Sequence, residues 1–175
     1  DSLGGALQAT RYLIELGHQR IGFLAGRPDL RSASLREAGY RQALSEAGIA
    51  FDPRLVRSGR YEHDAARDAA WALLTAGDRP TAVFAANDLS ALALLEVAAE
   101  LGVRVPDDLS VVGFDDIPEA SQRAMPLTTI RQPMGQLGST AAELVTALMR
   151  GERPAETHVV LATRLIPRAT TAPLR

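Results

Sequence analysis

Apolar residues recur along this chain in two alternating rhythms, one at helical spacing and one as short unbroken runs. Leu7, Tyr12, Leu13 and Leu16 recur at helical spacing within residues 4–17, and Gly17 offers the left-handed conformation that closes such a helix. The run Ile21-Gly22-Phe23-Leu24-Ala25-Gly26 then reads as a strand buried on both faces. Ser32 or Ser34 can cap a helix over about 34–47, which Gly48 stops. A loop with Pro53 leads to a weak strand at 55–57, and residues 63–76 predict a helix ending at Gly77. Pro80 introduces a strand over 81–85, and Asn87 or Asp88 caps a helix running to Leu101 and Gly102. Residues 109–114 give the next strand, and a loop with Pro118 and Pro126 leads to an extended run at 127–130. A helix over about 135–149 and two strand-like pieces, 158–161 and 164–166, complete the pattern.

Strands that alternate with helices of this length require right-handed crossovers and give an α/β fold, a doubly wound parallel sheet. Ligands of such sheets bind beyond the carboxyl ends of the strands. The residues that follow those ends are therefore the candidates for chemistry. The loop after the first strand brings Ser32 and Arg36; the later strand ends bring Tyr61, Asn87, Asp115 and Gln132. These side chains suit a sugar. A carboxylate such as Asp115 accepts from two neighbouring hydroxyls, Arg36 offers a rigid fork of donors, and Asn87 and Gln132 both donate and accept. Tyr61 presents an aromatic face to the C–H side of a ring. One Arg against one Asp leaves the set neutral, as a neutral ligand requires. Each residue also has a plainer reading: Asn87 and Asp88 as helix caps, Asp115 and Asp116 as turn residues, Arg36 as a solvated helix residue, Tyr61 as packing. Convergence on one edge is what favours a site.

Composition narrows the alternatives. At 175 residues, 46% hydrophobic and 23% charged, the chain has room for one domain or two small lobes. No long uncharged apolar run predicts a membrane span, and Asp1-Ser2-Leu3-Gly4-Gly5 carries no signal-peptide pattern. Cysteine is absent, which fits a cytoplasmic setting, and His18, His63 and His158 lack metal-ligand spacing, so no metal site is expected. Net charge is −2 with no dense basic block, so these residues do not predict a DNA-binding face. Asp115 and Asp116 are adjacent and on an extended segment point to opposite sides, unlike a glycosidase pair. No nucleophile elbow, G-x-G-x-x-G or Walker A loop is present, and neither enzymatic chemistry nor a cofactor is expected.

Several runs now stand together. Leu16-Gly17-His18-Gln19-Arg20-Ile21, Arg36-Glu37-Ala38-Gly39-Tyr40, Pro80-Thr81-Ala82-Val83-Phe84-Ala85-Ala86-Asn87-Asp88, Ser110-Val111-Val112-Gly113-Phe114-Asp115-Asp116 and Pro126-Leu127-Thr128-Thr129-Ile130-Arg131-Gln132-Pro133 occur in order over essentially the whole chain. In this the chain resembles the effector-binding domain of the lactose-repressor (LacI/GalR) family of transcriptional regulators. The resemblance implies a periplasmic-binding-protein-like type I fold: two lobes, a ligand in the cleft, and crossovers between them. On that pattern residues 1–131 form the C-terminal lobe, 132–161 a helix and strand of the N-terminal lobe, and 162–175 the return to the C-terminal lobe. The N-terminal lobe is otherwise missing, and the DNA-binding head, an N-terminal helix-turn-helix that binds operator DNA, is absent from these residues.

By motif position Arg36, Asn87 and Asp115 fall on effector contacts and Tyr61 on a ring-stacking position, with Ser32, Gln132 and Met134 as further lining. The resemblance also implies a homodimer. The helix beginning at 88 is apolar nearly all round and must bury more than one face. Burial inside the lobe and a dimer interface through Leu89, Leu92 and Leu95 both satisfy it. A sugar-binding component of a transport system shares the fold and is the alternative; the Gly-His-Gln-Arg-Ile and Leu-Thr-Thr-Ile-Arg-Gln-Pro runs favour the regulator.

Overall fold

The computed structural model describes residues 1–152 and 154–174. Helix α1 (Ser2–Glu15) begins where the Asp1 carboxylate accepts from the Gly4 N–H at 2.8 Å. It is followed by β1 (Ile21–Ala25), α2 (Arg31–Glu46), β2 (Val56–Ser58), α3 (His63–Leu74), β3 (Ala82–Ala85), α4 (Asp88–Glu100) and β4 (Ser110–Asp115). A short α5 (Pro118–Ser121), β5 (Thr128–Arg131), α6 (Met134–Met149) and β6 (Arg164–Ile166) complete the order.

The six strands form one sheet in the order β2-β1-β3-β4-β5-β6, parallel except for β6, which runs antiparallel to β5. Alternate side chains feed two cores, as the period of a strand demands. Phe23, Phe84, Val112 and Phe114 meet α1 and α2 on one face; Leu24, Val83 and Val111 meet α3 and α4 on the other. Tyr40 of α2 stacks on Phe23 with centroids 5.0 Å apart and donates its hydroxyl to the Ile21 carbonyl at 2.8 Å, which locks α2 onto β1. Gly39 lets α1 and α2 approach closely, because a Cβ there would strike the α1 backbone at Leu3. The chain leaves β1 toward β2 on one side and returns to β3 on the other. That reversal opens the crevice in which sheets of this order bind ligands.

Several expectations are corrected. α2 starts at Arg31 behind Leu30, which makes no side-chain cap, so Ser32 and Ser34 lie inside the first turn rather than capping it. The piece 158–161 is not a strand: β6 occupies the open edge of β5, and Val159 and Val160 are left exposed. The all-apolar α4 is accounted for largely by the lobe itself, since Leu92 and Leu95 are only 4% and 8% exposed and lie in the core shared with α3. Of the three leucines expected at a dimer face, Leu89 alone stands out, at 47%. Met134–Met149 is helical as the pattern required, yet none of its residues is buried. Leu137, Val145 and Leu148 leave an apolar stripe bare. Among the described residues no helix is long and apolar enough to cross a membrane.

Candidate functional site

The carboxyl ends of β1, β3, β4 and β5 open onto one edge of the sheet. Arg36 reaches it from the second turn of α2, where it is buried between two rings. Its guanidinium carbon lies 3.7 Å from the centroid of Phe114 and 5.6 Å from that of Tyr61. One guanidinium nitrogen donates to the Ala86 carbonyl, and the other lies 3.4 Å from Asp115 Oδ1. Gln132, just past β5, donates from Nε2 to that same Asp115 oxygen at 2.7 Å. Arg36, Asp115 and Gln132 are thus one connected set. Burial raises the pKa of Asp115; the Arg36 charge and the hydrogen bonds from Gln132 and Arg36 act against that rise.

The turn after β4 has an unusual backbone. Asp115 and Asp116 are both left-handed, with φ of 121° and 61°. Asp tolerates that region better than most residues, but two in succession carry strain on the order of 1–3 kcal/mol each. The turn sends the two carboxylates to different partners. Asp115 faces Arg36 and Gln132, whereas Asp116 accepts from Arg131 at 2.5 Å and Arg168 at 2.6 Å. Burial opposes the charge of Asp116, yet those two arginines prevail and hold its pKa below the ordinary value.

Tyr61 sits in a second left-handed stretch, with φ of 54° at Arg60 and 62° at Tyr61. Its ring packs against Gly26, where any Cβ would overlap it. The Tyr61 hydroxyl and Arg36 Nε are buried without a hydrogen-bond partner. Asn87 caps α4, its Oδ1 accepting from the Ser90 N–H at 3.0 Å. The plain and functional readings of Asn87 are compatible, because the cap uses only the amide oxygen and leaves the NH2 group as a donor.

Ser32 and Met134 are less tightly gathered. Ser32 lines a cavity of about 460 Å³ with Leu3, Leu137, His158 and Leu161; Met134, 59% exposed, lines another of about 660 Å³ with Asp115, Ile117 and Arg131. Gln132 and Pro133 belong to both cavities. Arg36, Tyr61 and Asn87 are outside both and form the packed edge next to Asp115.

Three residues of the site escaped the sequence reading. Phe114 is the platform under Arg36, and nothing in its apolar run distinguishes it from core. Arg168 anchors Asp116 from far along the chain. Asp88 is fully buried beneath the turn, its Oδ1 accepting from the Thr129 hydroxyl at 2.6 Å and its Oδ2 from the Ile117 N–H at 2.9 Å. A signal for Asp88 was present: Gly113 interrupts an apolar strand, as glycine does where another group comes close. A Cβ at 113 would overlap the Asp88 carboxylate.

Residues 10–171 match the family described as periplasmic binding protein-like domain. The chain is 36% identical over 174 residues to the HTH-type transcriptional regulator DegA of Bacillus subtilis, covering 99% of this chain and 51% of DegA. It is 40% identical over 168 residues to the HTH-type transcriptional regulator CelR of Thermobifida fusca, covering 96% of this chain and 49% of CelR. A solved CelR–cellobiose complex superposes with a TM-score of 0.93 at 40% identity, covering 97% of this chain and 52% of that one. The lac repressor dimer bound to operator and the anti-inducer ONPF gives 0.90 at 34% identity, covering 98% and 59%. The chain spans about half the length of the curated relatives DegA and CelR.

Proposed function

This chain belongs to the periplasmic binding protein-like family, in the branch of LacI-type transcriptional regulators, and we propose that it supplies one wall of the cleft in which such a regulator senses a neutral sugar. The observation that carries this reading is the Arg36–Asp115–Gln132 set, held at the carboxyl edge of a parallel sheet by a strained turn. Asp115 accepts from ligand hydroxyls, Arg36 and the Asn87 amide donate, and Tyr61 covers an apolar ring face. Stacking fixes the Arg36 fork before ligand arrives, so little side-chain entropy is lost on binding. Ser32, Gln132 and Met134 complete the lining. CelR's complex with cellobiose supports a carbohydrate as the effector class.

Residues 1–131 are then the C-terminal lobe, 132–161 belong to the opposite lobe, and 162–175 return. The bare stripe of α6 supports this division, since an amphipathic helix with no partner in the lobe has its partner elsewhere. The dimer forms across α4, where Leu89 is exposed and Leu95 and Ala99 line a cavity of about 430 Å³ with Met125. Leu92 and Leu95 support it from below. In the whole, cytoplasmic regulator, effector binding closes the cleft and alters how a homodimer presents its helix-turn-helix heads to operator DNA. The role is binding rather than catalysis.

The test is a thermal-shift screen of neutral mono- and disaccharides on the full-length regulator, since a ligand specific to the folded state raises Tm. A sugar that raises Tm and changes operator affinity supports the reading. A full-length protein whose Tm and operator affinity no sugar moves contradicts it.

A further inference from the structure

We propose that Asp88 is the positioning residue of this cleft: its buried carboxyl ties the turn that carries Asp115 to the strand that leads into Gln132. The inference rests on the cleft reading above and adds a residue that touches no ligand.

The geometry is a clamp. Oδ2 takes the Ile117 N–H at 2.9 Å, and the Asp116 N–H also points at the carboxyl, so successive N–H groups of the left-handed turn converge on it. Oδ1 takes the Thr129 hydroxyl of β5 at 2.6 Å. Gly113 clears the space that the carboxyl occupies. One side chain therefore holds both segments that deliver Asp115 and Gln132 to their shared hydrogen bond. The strain of two consecutive left-handed residues needs such an anchor.

The clamp also titrates. Burial pushes Asp88 up to about 7, with the Asp115 charge adding to the rise; the hydrogen bonds from Thr129, Ile117 and Asp116 work against it. The groups that face it are few. Asp115 repels it but is engaged with Arg36, and Asp116 is turned away to Arg131 and Arg168. The amino end of α4 favours its charge. No cation is paired with it among the described residues. Above neutrality the carboxylate accepts both donors with charge assistance. Below neutrality the acid keeps the Ile117 bond and gives its proton to Thr129, which is the weaker clamp.

The test uses the full-length regulator with two readouts. With selective ¹⁵N-isoleucine labelling, the Ile117 amide signal, assigned by its loss in Ile117→Val, is expected to titrate near neutral pH. In Asp88→Asn that titration disappears. An Ile117 signal that is flat across neutrality, or that titrates equally in Asp88→Asn, overturns the proposal whether or not any sugar binds.

Cellobiose is the binding probe. Its affinity falls on acidification through neutrality in the wild type. Asp88→Asn, which mimics the protonated acid, is flat at the wild type's acid value. Asp88→Ala, which leaves both donors stranded, binds about tenfold or more weakly. A wild-type pH profile that survives in Asp88→Asn, or equal affinity in the Asn and Ala variants, contradicts the positioning role. Wild-type protein that never binds cellobiose bears on the effector, and the Ile117 titration then decides the positioning role alone.

Discussion

The two ends of the sheet use polar side chains to opposite effect. At the amino ends of the strands, His18 ties neutral groups into a closed knot. Its Nδ1 lies 3.0 Å from the Thr81 hydroxyl, and its Nε2 lies 3.1 Å from Ser110 Oγ and 3.2 Å from the Ala172 carbonyl. A carbonyl only accepts, so Nε2 carries the proton and Nδ1 accepts from Thr81. The knot staples the C-terminal segment beneath the sheet, where Thr170 also bonds the Val111 carbonyl at 2.7 Å and the Thr128 N–H at 2.9 Å. At the carboxyl ends the groups are charged and the backbone is left-handed at four positions, and three buried polar atoms, Arg36 Nε, the Tyr61 hydroxyl and Ser90 Oγ, are unpaired. Complete neutral pairing fixes the lobe. Charge and incomplete pairing leave the other end able to take further hydrogen bonds.

Breaking either knot should separate the two roles. Arg36→Ala removes one partner of a buried, hydrogen-bonded charge pair and should cost about 2–5 kcal/mol of effector affinity, measured by calorimetry on the full-length protein. His18→Ala should do the reverse. It removes the bonds that the ring makes to Thr81, Ser110 and the Ala172 carbonyl, costing about 1–3 kcal/mol of stability in urea unfolding while effector affinity holds.

The pH dependence sharpens the contrast, because the two buried groups pull in opposite directions. Burial is the main cause of His18's lowered pKa, against the raising effect of the Ala172 carbonyl. The folded state therefore binds that proton less readily than the unfolded state, and stability is lost as pH falls through the unfolded value of about 6.5. Asp88 is raised to about 7. The folded state keeps that proton where the unfolded chain has lost it, so this group adds stability as pH falls from about 7 toward the unfolded value of about 3.9. The wild type should then lose little stability on mild acidification. Asp88→Asn should decline more steeply, because only the His18 effect remains. Tm against pH for both proteins checks this, and parallel curves would break the pairing of opposites.

The smallest effect belongs to α6. Leu137→Ser should change the stability of this chain by under about 0.5 kcal/mol, since the side chain is exposed here. In the full-length protein the cost should be clearly larger, read by urea unfolding of both.

These contrasts also mark what was legible in the sequence. The strand ends and their polar residues could be read because period and punctuation are local. Arg36, Asp115 and Gln132 meet as the strand order requires. Phe114 and Arg168 could not be read, because their roles depend on what packs across the sheet and on where the tail returns. The apolar surface of α4 left two readings open for the same reason: which of its leucines enter the lobe's core is decided by the packing of α3, not by the helix's own sequence. Gly113 was readable in principle, as a missing side chain that makes room for a carboxylate on the preceding helix.

The most direct test of the account is calorimetry of Asp115→Ala beside the wild type, in the full-length regulator, with a neutral sugar that raises the wild-type Tm. Asp115 stands where Arg36, Gln132 and the strained turn meet, so the account predicts that sugar binding falls by about tenfold or more while circular dichroism shows the fold intact. Unchanged affinity in a folded Asp115→Ala protein would contradict it.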